Sequence, residues 1–154
     1  MAKAARKTST ERTSKPKASK MDRKKITSRT MEELEALGYT VAKTEYWSPF
    51  PPPHGRRHDL FNCIDVLGVK GGTAVALSHT LGIQCTSRTS ALARVKKILH
   101  DPEVKDKAKA WLLAGNGLEV WGWDRYGMKT RILKIPILLS ADWQTVAGER
   151  TDYQ

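Results

Sequence analysis

Two apolar runs in the middle of the chain dominate its pattern of hydrophobic and polar positions. The first, residues 60–69 (LFNCIDVLGV), is interrupted by Asp65, and the second, residues 73–87 (TAVALSHTLGIQCTS), turns polar from Gln84 onward. Apolar runs of this length, bounded by glycines and polar residues, are typical of buried strands. The pair of glycines between them predicts a hairpin turn, so the two strands are expected to be antiparallel neighbours.

Helical periodicity appears on both sides of these runs. Residues 27–37 place apolar side chains at helical spacing and are followed by Gly38, which predicts a helix that ends there. Residues 90–101 (SALARVKKILHD) have one apolar face, and Pro102 is expected to restart a second helix that runs to about residue 114. The sequence therefore predicts one helix before the two runs and a long helical segment after them.

The other elements predicted are strands and a loop. Alternating or continuous apolar positions indicate strands at residues 39–47, 118–123 and 129–138. Residues 48–59 (SPFPPPHGRRHD) are expected to be a loop, because their four prolines cannot donate to a ladder. The helical segment between the second run and strand 118–123 is the crossover that a parallel neighbour requires. We therefore expect an α/β fold with a mixed sheet and a helix on each face.

Charge separates the first residues from the rest of the chain. Residues 1–25 contain ten Lys/Arg and two Asp/Glu, which is +8 of the net charge of +11 carried by all 154 residues. A segment this basic and this poor in large apolar side chains predicts a flexible arm, with the α/β domain at residues 26–154. Such an arm favours nucleic acid, bound through phosphates with strong salt dependence. A solubilising or targeting extension is the alternative.

Hydropathy and cysteine usage suggest a cytoplasmic protein without membrane contact. No apolar run approaches the roughly 18 residues needed to span a bilayer, and the N-terminus lacks the apolar region of a secretory signal. The two cysteines, Cys63 and Cys85, fall within the apolar runs, so we expect reduced core thiols rather than a disulfide framework.

Asp65 and Gln84 are the candidates for chemistry, because each lies in an apolar run on one of two neighbouring strands. A buried carboxylate requires a cation, either an arginine or a hard metal ion. Together with the Thr86 hydroxyl, on the same strand face as Gln84, they are a plausible ligand set for Mg²⁺. Arg88, close behind, is placed to contact a phosphate. The structural alternative is that Asp65 pairs with Arg56, Arg57 or Arg88 and only fixes the sheet.

Asp59 is a weaker candidate by the same reasoning. Six residues separate it from Asp65, a distance of about 20 Å along a straight strand, so the two cannot share one ion unless the strand bends.

The order of these features resembles the PD-(D/E)XK nuclease superfamily, and within it the archaeal-type and phage Holliday junction resolvases. The strand sequence CIDVLGV matches the family's Asp followed by aliphatic residues, and QCTSR (84–88) falls where the family has Glu-x-Lys, often followed by Ser-Arg. The resemblance covers roughly residues 28–123. It implies a restriction-endonuclease-like fold, a homodimer, and Mg²⁺-dependent (Mn²⁺ as possible substitute) cleavage of branched DNA.

Two departures accompany the resemblance. Gln84 replaces the family's Glu, and Thr86 replaces its catalytic Lys, for which Arg88, Arg94 or Lys96 are candidate substitutes. The family's acid on the first helix has no clear match; Glu32 and Glu33 lie too near Gly38, Glu45 comes from the next strand, and Asp59 is the candidate replacement. The expected site residues are these: catalytic Asp65, Gln84, Thr86 and Arg88; metal ligands Asp65, Gln84 and Asp59; DNA contacts Arg56, Arg57, Arg94, Lys96 and Lys97.

Two other functions remain open from the sequence. The loss of the motif Lys at Thr86 favours a nuclease fold that binds DNA or protein without cutting, and a phage interaction protein that meets an acidic host partner is the third interpretation. Trp47, beside the proline loop, is a candidate for stacking on a base, with covering of the loop as the structural alternative.

Overall fold

A mixed sheet with helices on both faces makes up most of the protein in its computed structural model. The structure describes residues 18–19, 21–72 and 79–153. In chain order the elements are β1 (Ala18–Ser19), α1 (Arg23–Ala36), β2 (Thr40–Lys43), β3 (Tyr46–Ser48), β4 (Arg56–His58), β5 (Val66–Lys70), β6 (His79–Ser87), a 3₁₀ turn (Arg88–Ser90), α2 (Ala91–His100), α3 (Pro102–Leu113), β7 (Gly117–Tyr126), β8 (Lys129–Leu139), β9 (Thr145–Ala147) and β10 (Thr151–Tyr153).

The main sheet confirms the predicted α/β class with mixed strand directions. Its strands lie in the order β10-β8-β7-β6-β5-β2, with β1 paired to β7 and β9 to β8. β6 and β7 are parallel and are joined by the α2–α3 crossover, whereas β2, β5 and β6 are successive antiparallel neighbours. The sheet therefore places β5 beside β6, as the two apolar runs predict.

Each face of the sheet has its own core. α1 covers one face, where Leu34 packs with Ile83, Cys85 and Trp121. α2 and α3 cover the other, where Val95 and Ile98 pack with residues such as Val120. Because β6 is covered on both sides, all residues from Leu81 to Ser87 are buried, which explains its continuous apolar run.

Three predicted elements differ from the structure upstream of Asp65. The strand expected at residues 39–47 is divided into β2 and β3, which belong to different sheets. The loop expected at residues 48–59 contains β4, because its last residues lie beyond the prolines and pair with β3. The strand expected from residue 60 begins only at Val66, because Phe61 and Asn62 have positive φ angles of 56° and 61° and fold the chain back.

Two predictions fall partly on residues that the structure does not describe. Residues 1–17 and 20 of the expected arm and residues 73–78 of the expected hairpin lie outside the described residues. Ala18–Ser19 pairs with β7, and α1 begins at Arg23, so the end of the segment predicted as an arm belongs to the fold. The described helices include none with the length and apolar character needed to cross a membrane.

A candidate metal centre beside a basic, aromatic hairpin

Asp65 lies immediately before β5 and contacts β6 directly. Its carboxylate oxygen Oδ2 accepts a hydrogen bond from the side-chain amide of Gln84 and a second from the backbone N–H of Cys85, at 2.8 Å. Asp65 and Gln84 are each only 2% exposed. The sequence expectation that these two side chains meet on neighbouring strands is therefore confirmed. Gln84 and Thr86 alternate with Cys85, which packs in the core beneath α1, so they share the opposite face.

A tight turn brings Asp59 to the same place. Leu60 and Ile64 exchange both backbone hydrogen bonds, at 3.1 and 3.0 Å, so the chain reverses between Asp59 and Asp65. Ile64 also packs against Gly82 of β6, where an added Cβ would come within 2.7 Å of the Ile64 side chain. Because the chain bends here, Asp59 and Asp65 are not held apart by the roughly 20 Å of a straight strand.

Glu45 is the third carboxylate at this site. The backbone N–H of Thr44 donates to the Asp65 carbonyl oxygen at 2.9 Å, and the Thr44 hydroxyl donates to the Ile64 carbonyl oxygen at 2.6 Å. These two bonds hold the segment after β2 against the turn, so that Glu45, which is 9% exposed, faces Asp59 and Asp65.

We call Glu45, Asp59 and Asp65 the carboxylate cluster. One oxygen from each lies within 4.8 Å of the other two. Oxygens on opposite sides of a magnesium ion are about 4.2 Å apart, so a small adjustment of side chains would let all three bind one ion. Oδ1 of Asp59 is buried and accepts no hydrogen bond within the described residues. An acceptor in that state is suited to a cation, so the donor set fits a hard divalent metal.

Basic side chains partly offset the charge of the cluster. Arg57 forms an ion pair with Glu45, and Lys43 Nζ lies 3.9 Å from the same carboxylate. Lys97 on α2 donates from Nζ to the carbonyl oxygen of Asn62 in the turn, at 3.1 Å. Two of the donors to Asp65 are thus amides, from Gln84 and Cys85, whereas Arg57 pairs with Glu45 and Arg88 with Asp152.

The thiol of Cys63, in the turn between Asp59 and Asp65, is buried. Burial raises the pKa of Cys63 to about 12. The charge of Lys97 lowers this pKa by a smaller amount, and the charges of Asp65 and Asp59 raise it further. The observed contact of Lys97 in this region is its hydrogen bond to the Asn62 carbonyl oxygen, in the turn that joins Asp59 to Asp65. Both cysteines are buried and neither forms a disulfide, as expected from the sequence.

Arg88 points away from the cluster. Its Nη2 lies 2.5 Å from Oδ1 of Asp152 in β10, at the far edge of the sheet from β5. A contact with a phosphate at the cluster would require Arg88 to leave this ion pair. Thr86 is 8% exposed and lies two residues beyond Gln84 on β6.

The basic residues expected to contact DNA lie on two elements near the cluster. Arg56 and Arg57 are exposed on β4, and Arg57 forms the ion pair with Glu45. On α2, Lys96 is exposed, whereas Arg94 and Lys97 are half-buried and face inward, Lys97 toward the turn.

The β3–β4 hairpin carries exposed aromatic rings directly after Glu45. Tyr46 and Trp47 are 61% and 60% exposed, and the Tyr46 ring stacks on His58 with centroids 4.9 Å apart. Trp47 lies over Gly55, where φ is +59° and an added Cβ would overlap the indole ring. The hairpin therefore presents flat aromatic surface among cations at the edge of the carboxylate cluster.

No family model, curated protein or solved structure matches this chain.

Sequence reasoning did not assign Glu45 to the carboxylate site. Glu45 was expected within the strand after the first helix, yet the strand break at Thr44 turns it toward Asp65. The signal for the turn was Asn62, a residue that adopts positive φ readily, inside an otherwise apolar run. Lys97 was expected as a DNA contact; its contact with this turn depends on where the turn meets α2, which the sequence does not give.

Proposed function

We propose that this chain is a metal-dependent DNA endonuclease of the Holliday junction resolvase type within the PD-(D/E)XK superfamily. The observation that supports it is the carboxylate cluster beside Gln84, at the edge where β5 and β6 meet. The order of one helix, three antiparallel strands, a helical crossover and a parallel strand agrees with a restriction-endonuclease-like core.

The cluster and Gln84 are the residues that would hold Mg²⁺, with Mn²⁺ as a substitute. Rotation of the Gln84 amide by half a turn would present its carbonyl oxygen next to Asp65 in place of its nitrogen. When bound, the metal supplies an activated water and stabilises negative charge on the phosphodiester oxygens.

The surrounding side chains position the cluster and its substrate. The amide donors of Gln84 and Cys85 fix the orientation of Asp65, and Arg57 fixes that of Glu45. Lys97 brings a positive charge to the cluster from α2 and takes the role that the family assigns to the lysine missing at Thr86. Its charge favours a developing negative charge on the substrate.

Branched DNA is the proposed substrate, and a homodimer is the proposed acting unit. The aromatic rings of the β3–β4 hairpin provide stacking surface for bases that lose their partners at a branch point. Arg56 and Lys96 are exposed cations for the phosphate backbone, which they contact without reading sequence.

Cleavage of a synthetic four-way junction tests the proposal. We expect symmetrical nicking in Mg²⁺ by the wild type, and no nicking but full binding by Asp65→Asn, because the amide keeps the shape and removes a charged ligand. Asp106→Asn, an exposed carboxylate on α3, is the matched control and should cut normally. Nicking that survives Asp65→Asn would contradict the assignment of the site.

A catalytically silent DNA-binding module is the second candidate. The observations that favour it are Thr86 at the lysine position and the Gln84 amide nitrogen, which now donates to Asp65. Tight binding of the junction without nicking in either Mg²⁺ or Mn²⁺ would select this alternative.

A further inference from the structure

A second polar site adjoins the carboxylate cluster at the end of β6. A cavity of about 240 Å³ lies between α1, the last residues of β6 and the start of α2. Its lining consists of Met21, Ile26, Cys85, Thr86, Ser87, Ser90 and Arg94. At about 30 Å³ per water molecule, the cavity has room for a phosphate group with several waters.

The polar groups of this cavity suit an oxyanion. The cavity lining includes three hydroxyl-bearing residues, Thr86, Ser87 and Ser90, together with Arg94; none of the lining residues is acidic. Ser87 Oγ lies 3.0 Å from Ser90 Oγ, so these two hydroxyls form one connected group.

Among the lining residues, Thr86 differs from the two serines in its hydrogen bonding. It is 8% exposed, and its hydroxyl makes no hydrogen bond within the part of the chain that the structure describes. This hydroxyl is not among the fully buried polar atoms that lack a partner in the described residues, so it remains open to a ligand or to water.

The start of α2 adds to the attraction for an anion. Ser90 occupies the N-cap position of this ten-residue helix, and its side chain makes no capping hydrogen bond. The backbone N–H of Ala91 already donates to the Arg88 carbonyl oxygen in the preceding 3₁₀ turn, so the contribution of this end of the helix to an anion is its dipole.

We infer that this cavity binds one phosphate group of a nucleic-acid backbone. The inference rests on the proposed nuclease function: Thr86 in the cavity lining and Gln84 beside Asp65 are two residues apart on β6, about 7 Å along the strand, so the cavity and the cluster lie toward the same end of β6. Arg94 thereby becomes the arginine that contacts phosphate, in place of Arg88, which Asp152 engages.

The basic surface continues beyond this cavity. A wider cavity of about 510 Å³ shares Met21 with it; its lining includes Lys25, Arg29 and Arg125, and one carboxylate, Glu32, which pairs with Arg29. A strand whose phosphate occupies the smaller cavity would meet these cations next, as a polyanion requires and a single phosphate ion does not.

Binding of a labelled four-way junction in EDTA tests the inference without catalysis. We expect Thr86→Val and Arg94→Gln each to raise the Kd by about tenfold in fluorescence anisotropy, since each removes a hydrogen bond to a charged group. Thr86→Ser, which keeps the hydroxyl, should bind like the wild type. Arg150→Gln is the charge-matched control at an exposed position before β10 and should change the Kd much less.

A second titration identifies the source of the phosphate. The backbone amides of Ser90 and Ala91 should shift in ¹⁵N NMR spectra on addition of a dinucleotide, and much less on addition of inorganic phosphate. Equal responses to both would overturn the assignment to nucleic acid, and no response to either would overturn the site.

Equal Kd values for Arg94→Gln and Arg150→Gln, together with wild-type binding by Thr86→Val, would also overturn it. Circular dichroism melting of each variant separates loss of binding from loss of fold. Failure of the nuclease proposal would appear instead as absent nicking with these binding differences intact.

Discussion

At the scale of single residues, the carboxylate cluster is the costly feature of the molecule. Asp65 is almost fully buried, Glu45 nearly so, and their oxygens face those of Asp59 within 4.8 Å. Like charges at this separation repel, and each also loses hydration. Arg57 and Lys97 offset part of this cost from two sides. A divalent cation would offset the rest, which gives the cluster its functional interpretation.

Substitution of Lys97 provides a prediction that separates the rate of cleavage from the affinity for DNA. We expect Lys97→Met to lower the rate of junction cleavage at saturating protein by about a hundredfold, because its charge acts beside the reacting phosphate. Lys96→Met, one residue away but exposed, should weaken binding by a few-fold and leave the saturated rate unchanged. Rapid-quench cleavage assays measure both rates, and similar losses in the two variants would contradict the role of Lys97.

Cys63 provides a prediction about pH. Its pKa is raised from the ordinary value of 9.0 to about 12, so the unfolded thiol ionises in that interval while the folded thiol does not. The stability that it contributes is complete below pH 9 and is lost as the pH rises toward 12, by up to about 1.4 kcal/mol per pH unit.

Urea unfolding between pH 8 and 11, roughly spanning that interval, checks this expectation. Cys63→Ala should be less stable at pH 8, because it leaves a cavity, but should lose less stability on going to pH 11 than the wild type. Parallel losses in the two proteins would show that Cys63 does not titrate in this way.

Residue-level reasoning from the sequence succeeded where strand pairing alone decides the contact. Asp65 meets Gln84 because β5 and β6 are antiparallel neighbours, and their register brings those positions together. It did not locate the partner of Arg88, which is Asp152, because that contact depends on β10, an edge strand of three exposed residues with no apolar pattern.

At the scale of elements, the turn between Asp59 and Asp65 is what creates the site. An apolar run predicts a strand through residues 60–69, and only the local conformations of Phe61 and Asn62 override it. The end of α1 before Gly38 and the division between α2 and α3 at Pro102 were predictable from periodicity and from glycine and proline, whereas α1 begins at Arg23 rather than at Thr27 as expected. The β3–β4 hairpin was not, because its strands are three residues long and flank a proline-rich segment.

The β3–β4 hairpin gives the prediction at this scale. We expect Trp47→Ala to weaken junction binding by about tenfold, because stacking contributes roughly 1–3 kcal/mol per base. Trp143→Ala is the matched control, since Trp143 is also 60% exposed but lies in the turn between β8 and β9. Anisotropy measurements in EDTA compare the two, and equal affinities would remove the hairpin from the binding surface.

At the scale of the whole molecule, the sheet collects the polar chemistry at one edge. The carboxylate cluster lies where β5 begins, and the cavity proposed to bind phosphate lies where β6 ends. Because β5 and β6 are antiparallel, these are the same end of the strand pair. The cations of α1 and of the β7–β8 hairpin extend the surface from there. The chain's net charge of +11 supports approach to a polyanion from a distance, which salt should weaken.

Calorimetric titration of the DNA-free protein with Mn²⁺ tests the central claim most directly. The account predicts one saturable site per chain in the wild type, lost in both Asp59→Asn and Asp65→Asn and retained in Asp106→Asn. Binding that both cluster variants preserve, or no binding by a folded wild type, would contradict it.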